Sequence, residues 1–295
     1  MATGGLAFAT LPSLGAGRST KLTILHTNDT HSHIDPFPEN HKKYPGQGGA
    51  NRRKALIDQI RSEEDHVLLL DAGDIFQGTP YFNMYGGEIE FKLMSAMGYD
   101  VATMGNHDFD AGIEGFDKML PHANFEFVNA NYNFSNTILA GKLKEYTIIE
   151  KGGLKIGVFG LGVELDGLVS KDLYRETLYM DPIEHANRIA THLKNEEECN
   201  LVICLSHLGY KKRHNDMCDP ILAKETEFID LIIGGHSHTF LDKPEMHKNK
   251  LGKSVLINQV GWAGLILGRI DFYFDNKGNP DLWASATLNT NYDVA

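Results

Sequence analysis

Apolar residues along this chain fall into short unbroken runs separated by polar, glycine-rich stretches. Continuous apolar runs of strand length mark strands covered on both faces. On that pattern strands are predicted at Lys21–Thr27, His66–Asp71, Asp100–Met104, Phe125–Ala130, Leu201–Leu205, Ile229–Ile233, Val255–Gln259, Leu267–Phe274 and Leu282–Leu288. Tyr146–Glu150 and Lys155–Leu161 flank Gly152-Gly153 and read as a hairpin. Three segments carry helical periodicity instead. Asn51–Glu64 has Ala55, Leu56, Ile57 and Ile60 on one stripe, and Glu88–Met97 is closed by Gly98. Pro182–Glu198 gathers Ile183, Ala186, Ile189, Ala190 and Leu193 on one face. Strands and helices alternate with no internal repeat and no linker, which predicts one continuous α/β domain over residues 21–295.

Composition narrows the class. An apolar content of 42% supports a real core. A formal net charge of −11 argues against binding a nucleic acid polymer, though not against small anions, since bound cations reverse the local sign. Cys199, Cys204 and Cys218 are too few and too irregularly spaced for a disulfide framework or a zinc knuckle. Ala2–Gly17 is uncharged, apolar and rich in small residues. Residues 1–20 therefore read either as an export signal lacking its basic start, with a basic segment upstream of Met1, or as a disordered tail. The first reading predicts export to a bacterial periplasm or cell envelope. The stretch is too short to span a bilayer.

The polar residues that follow the strands carry the chemistry. Asp29 and His31 follow the first strand, and Asp74 follows the second behind Ala72-Gly73. The third strand delivers Thr103-Met-Gly-Asn-His-Asp-Phe-Asp110, His207 follows Leu201–Leu205, and Gly234-Gly-His-Ser-His238 follows Ile229–Ile233. Open α/β sheets bind ligands beyond the carboxyl ends of their strands, so arrivals of Asp, Asn and His at such ends favour one shared site. Oxygen and imidazole donors without thiolate suit Mn, Fe, Zn or Co. Asp29 and His31 are two apart, as are His236 and His238, so each pair faces one side of an extended loop. On the same reasoning Asn106 and His107 face opposite ways, one toward a metal and one toward a substrate, with Asp110 close enough to orient the imidazole. His33 sits beside the first pair and could support it, whereas His26, His41, His66, His122, His185, His192, His214 and His247 read as packing or surface residues. Phe76, Tyr81, Phe82 and Tyr85 read as core aromatics, and Arg52 and Arg53 as a solvated helix start.

Asp71-Ala-Gly-Asp-Ile-Phe-Gln-Gly-Thr-Pro-Tyr-Phe-Asn83, Gly105-Asn-His-Asp-Phe-Asp110, Leu25–His31 and Gly234–His238 together resemble the calcineurin-like metallophosphoesterases, in particular the catalytic domain of the 5′-nucleotidase / 2′,3′-cyclic phosphodiesterase family. The resemblance runs from about Lys21 to Phe274. It implies a four-layer αββα sandwich of two mixed β-sheets flanked by helices. It also implies two divalent metal ions, one held by Asp29, His31, Asp74 and His238 and the other by Asp74, Asn106, His207 and His236. His107, oriented by Asp110, would stabilise charge on the phosphate while a metal-bridging hydroxide attacks phosphorus. The implied substrate is a small phosphorylated molecule, a nucleoside monophosphate or related nucleotide. Family members carry a C-terminal substrate domain, and this chain stops at Ala295, so the expectation is a catalytic domain that works with a separately encoded or a truncated-off specificity domain. The alternatives are a standalone phosphodiesterase or phosphomonoesterase with a non-nucleotide substrate, and a non-catalytic binding protein on the same fold.

Overall fold

The structure, a computed structural model, describes residues 7–10, 20–211 and 217–290. The first half runs β1 (Ala7–Thr10), β2 (Thr20–Thr27), α1 (Ala50–Glu63), β3 (Val67–Asp71), α2 (Pro80–Tyr85), α3 (Glu88–Met97), β4 (Val101–Ala102), α4 (Gly112–Met119) and β5 (Glu126–Phe127). The middle runs β6 (Tyr132–Asn133), β7 (Tyr146–Lys151), β8 (Leu154–Leu161), α5 (Lys171–Tyr174), β9 (Leu178–Tyr179), α6 (Pro182–Asn195) and β10 (Leu201–Ser206). The last part holds α7 (Asp219–Glu225), β11 (Leu231–Gly234), β12 (Glu245–Lys248), β13 (Ser254–Asn258), β14 (Ile266–Phe274) and β15 (Pro280–Asn289).

Two mixed sheets result. A seven-stranded sheet has the order β1-β15-β14-β2-β3-β4-β5, with β2 to β5 parallel and the β14–β15 edge antiparallel. A six-stranded sheet has the order β12-β13-β11-β10-β8-β7, parallel at its centre and antiparallel at both edges. Three apolar layers hold them. Leu22, Ile24, Leu68 and Leu70 of the first sheet meet Ile156, Val158, Ile203 and Ile233 of the second. On the outer face of the first sheet Leu25 and Leu69 pack against Ile57, Phe91 and Phe116 from the helices. Beyond the second sheet Val202 and Ile232 pack under Ile189, Leu193 and Leu222. The central strands are buried on both faces, which is why their apolar runs are continuous rather than alternating. The expected αββα arrangement is the one observed.

The departures from expectation are local. The third strand keeps only Val101–Ala102, because Thr103–Asn106 peels away to form part of the site. Helices α2, α4 and α7 and the edge strand β12 were absent from the apolar pattern, being short or half exposed. Arg53, expected in solvent, is 5% exposed, while Arg52 donates to the Gly46 carbonyl. Phe76 and Phe82 are core residues as expected, but Tyr85 is 44% exposed. Within the apolar N-terminal stretch, Ala7–Thr10 pairs antiparallel with β15. The rest of that stretch, and His214, lie outside the described residues. No helix among the described residues is long and apolar enough to cross a membrane.

Phe91 is the keystone of the helical layer: fully buried, its ring meets Phe76, Phe116, Phe125 and Phe127 at centroid distances of 4.9 to 5.9 Å. Phe91→Ala should cost about 3–5 kcal/mol in urea unfolding. A loss below about 1 kcal/mol would show that this cluster does not hold α3 to the sheet.

Candidate metal centre

Strands β2, β3, β4, β10 and β11 end at one edge of the sandwich, and the loops that leave them interlock there. Asp29 donates its N–H to the Gly73 carbonyl, His31 donates to that of Asp74, and Gly235 donates to that of Ser206. These contacts draw together Asp29, His31, Asp74, Asn106, His207, His236 and His238. The ligand atoms of Asp29, His31, Asp74 and His238 all lie within 4.8 Å of one another, as do those of Asp74, His207 and His236. Asn106 Oδ1 reaches to 2.8 Å from His236 Nδ1. Asp74 belongs to both groups.

The backbone that achieves this is not extended, as the spacing had predicted. Asp29, His31, Asp74, His236 and His238 all have positive φ, between 47° and 69°. Such left-handed residues without glycine cost about 1–3 kcal/mol each and persist only where their surroundings fix them. Asn106 is right-handed helical and His107–Phe109 forms a 3₁₀ turn. Convergence therefore comes from tight coiling rather than from alternation along a strand. Gly105 has to be glycine: a Cβ there would stand 2.2 Å from Asp74 Oδ1.

Protonation is set by the atoms behind the rings. His207 Nδ1 lies 2.7 Å from the Ala72 carbonyl and His31 Nδ1 lies 3.2 Å from that of Phe76. A carbonyl accepts only, so each Nδ1 carries a proton, and a cation bound at the centre would take the place of any proton on Nε2. His207 Nε2 is fully buried without a hydrogen-bond partner, 3.1 Å from Asp74 Oδ2. His31 Nε2 and His238 Nε2 stand 3.0 Å apart. Two imidazole donors on one tetrahedral ion, with bonds of about 2.0–2.1 Å, would be about 3.3 Å apart. Burial disfavours a charged His207, yet Asp74 and Asp29 push its pKa up to about 10. Burial likewise opposes ionisation of Asp74, but His207, His31 and His107 hold it well below the usual carboxylate range. The site thus demands positive charge between two buried carboxylates, and hard-oxygen and imidazole donors fit a divalent cation in that role.

His107 and Asp110 stand at the rim. His107 Nδ1 is 2.8 Å from Asp110 Oδ2 and its side chain is half-buried. The bond to Asp110 raises the imidazole pKa against the opposing effect of burial.

Three residues that matter here had escaped the sequence reading. Asp108, fully buried, accepts N–H groups from Asp74, Ile75, Phe76 and Gly105 at 2.8 to 3.1 Å. Burial and the Asp74 carboxylate raise its pKa to about 7, while four donors and no acceptor hold the ionised form. Tight turns at Gly73 and Gly105 leave successive amides needing an acceptor, and an acid next to the second turn was the available signal. Gln259, the residue after β13, accepts from Ser237 Oγ at 2.9 Å and donates to the Gly235 carbonyl at 2.6 Å, bracing the His236–His238 loop. Trp262 lies parallel to the His238 ring, 5.6 Å between centroids. Neither follows a motif.

The calcineurin-like phosphoesterase family profile matches residues 22–240, a span containing every one of the gathered side chains. The chain belongs to the calcineurin-like phosphoesterases. It is 36% identical over 289 residues to the trifunctional nucleotide phosphoesterase protein YfkN of Bacillus subtilis, covering 87% of this chain and 18% of that protein. It is 35% identical over 301 residues to a snake venom 5′-nucleotidase of Gloydius brevicauda, covering 94% of this chain and 49% of the relative. The crystal structure of a 5′-nucleotidase precursor from Thermus thermophilus superposes with a TM-score of 0.83 at 33% identity, over 92% of this chain and 54% of the other. The phosphoesterase chain thus spans about half the length of these relatives, or less.

Asp108→Asn would turn an amide N–H₂ toward backbone N–H groups. It should lower stability by about 2–3 kcal/mol and weaken Mn²⁺ binding in calorimetric titration. Unchanged Mn²⁺ affinity would mean that the two loops hold the site without this carboxylate.

Proposed function

We propose that the chain hydrolyses phosphomonoesters of the 5′-nucleotidase type at a two-cation centre. The observation that carries this is the sharing of one buried carboxylate, Asp74, by two separate donor groups. In this reading Asp29, His31, Asp74 and His238 hold one divalent cation. Asp74, Asn106, His207 and His236 hold the second. Cations so placed would polarise the phosphoryl oxygens, neutralise their charge and generate the attacking nucleophile from water. The remaining work belongs to the chain. Asp110 fixes the His107 ring and leaves Nε2 to donate a hydrogen bond to a phosphoryl oxygen as charge builds on it. The carbonyls of Ala72 and Phe76 keep His207 and His31 in the tautomer that offers Nε2. The names of the relatives support a nucleotide substrate, a nucleoside monophosphate being the simplest.

Phosphate release from AMP by the Mn²⁺-loaded chain tests the proposal, with bis-p-nitrophenyl phosphate alongside. Turnover of AMP is the expected result. Turnover of the diester alone would place the chain among phosphodiesterases, and silence on both with metals bound would favour a binding protein. His107→Ala should lower AMP turnover by about 10²–10⁴-fold with metal content unchanged by elemental analysis. Loss of metal in that variant would contradict the role given to His107.

A further inference from the structure

The imidazoles gathered at the centre are not held alike. His31 and His207 each have a backbone carbonyl behind Nδ1, and their side chains are 7% and 0% exposed. The His238 side chain is 40% exposed and its backbone is left-handed, with φ 51°. Among the described residues no side chain or carbonyl hydrogen-bonds its Nδ1. Yet its Nε2 is turned inward, 3.0 Å from His31 Nε2 and 3.4 Å from Asp29 Oδ1. What lies against the ring instead is Trp262, parallel to it within 1° and 5.6 Å away between centroids.

The turn that carries Trp262 is built onto the neighbouring donor residues. Ala263 donates its N–H to the Asp29 carbonyl at 2.8 Å. The Asn28 side chain accepts from the Val260 N–H at 3.0 Å and donates to the Gly261 carbonyl at 2.7 Å. Gly261 and Ala263, on either side of the indole, have φ of 76° and 58°. Left-handed backbone at an alanine persists only where its surroundings fix it. The His33 ring meets the indole at 77°, 5.1 Å between centroids, and its Nδ1 lies 2.9 Å from the His31 carbonyl. The indole is only half-buried, so core packing does not account for a side chain of this size on so constrained a turn.

We propose that Trp262 is the positioning residue for His238. Its ring keeps the imidazole edge turned so that Nε2 faces the donor group, in place of the carbonyl that orients His31 and His207. The inference rests on the two-cation reading above. Stacking suits the task, because a cation on Nε2 would draw electron density from the imidazole and the indole face is electron-rich.

Calorimetric titration of Mn²⁺ into the chain, with no substrate present, tests this. The wild type should show two binding events, and His238→Ala identifies the one that involves His238. Trp262→Leu keeps an apolar side chain but removes the flat ring. It should weaken that same event about tenfold and leave the other within about twofold. Trp262→Phe restores a ring and should return the affinity to within about threefold of the wild type. An unchanged affinity in Trp262→Leu, equal losses in both events, or a Phe variant as weak as the Leu variant would overturn the role of Trp262. AMP turnover by Trp262→Leu, lowered at limiting Mn²⁺, should recover to within about twofold at saturating Mn²⁺. A loss that persists there would mean that the indole touches substrate instead, and would overturn the proposal. A wild-type chain that bound one Mn²⁺ would end the two-cation reading, while the same comparison on that ion would still decide Trp262. A chain that bound none would end both.

Discussion

Four backbone N–H groups converge on the Asp108 carboxylate, and the site depends on that grip. Asp74 arrives from β3 and Asn106 from beyond β4. Tying both to one buried anion sets the Asp74 side chain, whose Oδ1 in turn accepts the His107 N–H at 2.8 Å. The loop leaving β2 is threaded onto the same frame through its bonds to Gly73, Asp74 and Ile75. The second sheet is joined to it by His207, through Ala72, and by the His236 N–H, which donates to the Asp29 carboxylate at 2.9 and 3.0 Å. Loops from both sheets thus become one rigid rim.

Rigidity is needed because the rim is strained and charged. Five of the gathered residues hold left-handed backbone without being glycine. Two of the carboxylates, Asp29 and Asp74, are removed from water and form their ion pairs with imidazoles. Neither condition survives in a loosely packed loop. The second would be relieved by positive charge at the centre, which would link the folding of these loops to cation binding. The two apolar layers outside the sheets, and the third between them, supply the stability that such a rim consumes.

Much of this was legible in the sequence. The central strands declare themselves because burial on both faces leaves no polar position to interrupt them. Polar clusters directly after Thr27, Asp71, Leu205 and Ile233 could only lie at strand ends. The geometry of the clusters was not legible: an Asp-x-His spacing is compatible with an extended or a coiled loop, and the left-handed turn at Asp29 is dictated by contacts with Gly73 and Asp74, which are remote in sequence. Asp108 and Gln259 were missed for the same reason, since their worth lies in amides and carbonyls brought by other segments. Arg53 was misplaced because helix periodicity cannot tell a buried guanidinium from a solvated one. Helices α2 and α7 are too short to show a period at all.

The central claim is that two cations sit on either side of Asp74. Crystals of the Mn²⁺-loaded chain, measured at the manganese absorption edge, test it directly by anomalous scattering. The account predicts two peaks about 3.5–4 Å apart. One should be ringed by Asp29, His31 and His238, the other by Asn106, His207 and His236, with Asp74 reaching both. A single peak, or peaks elsewhere on the chain, would contradict it.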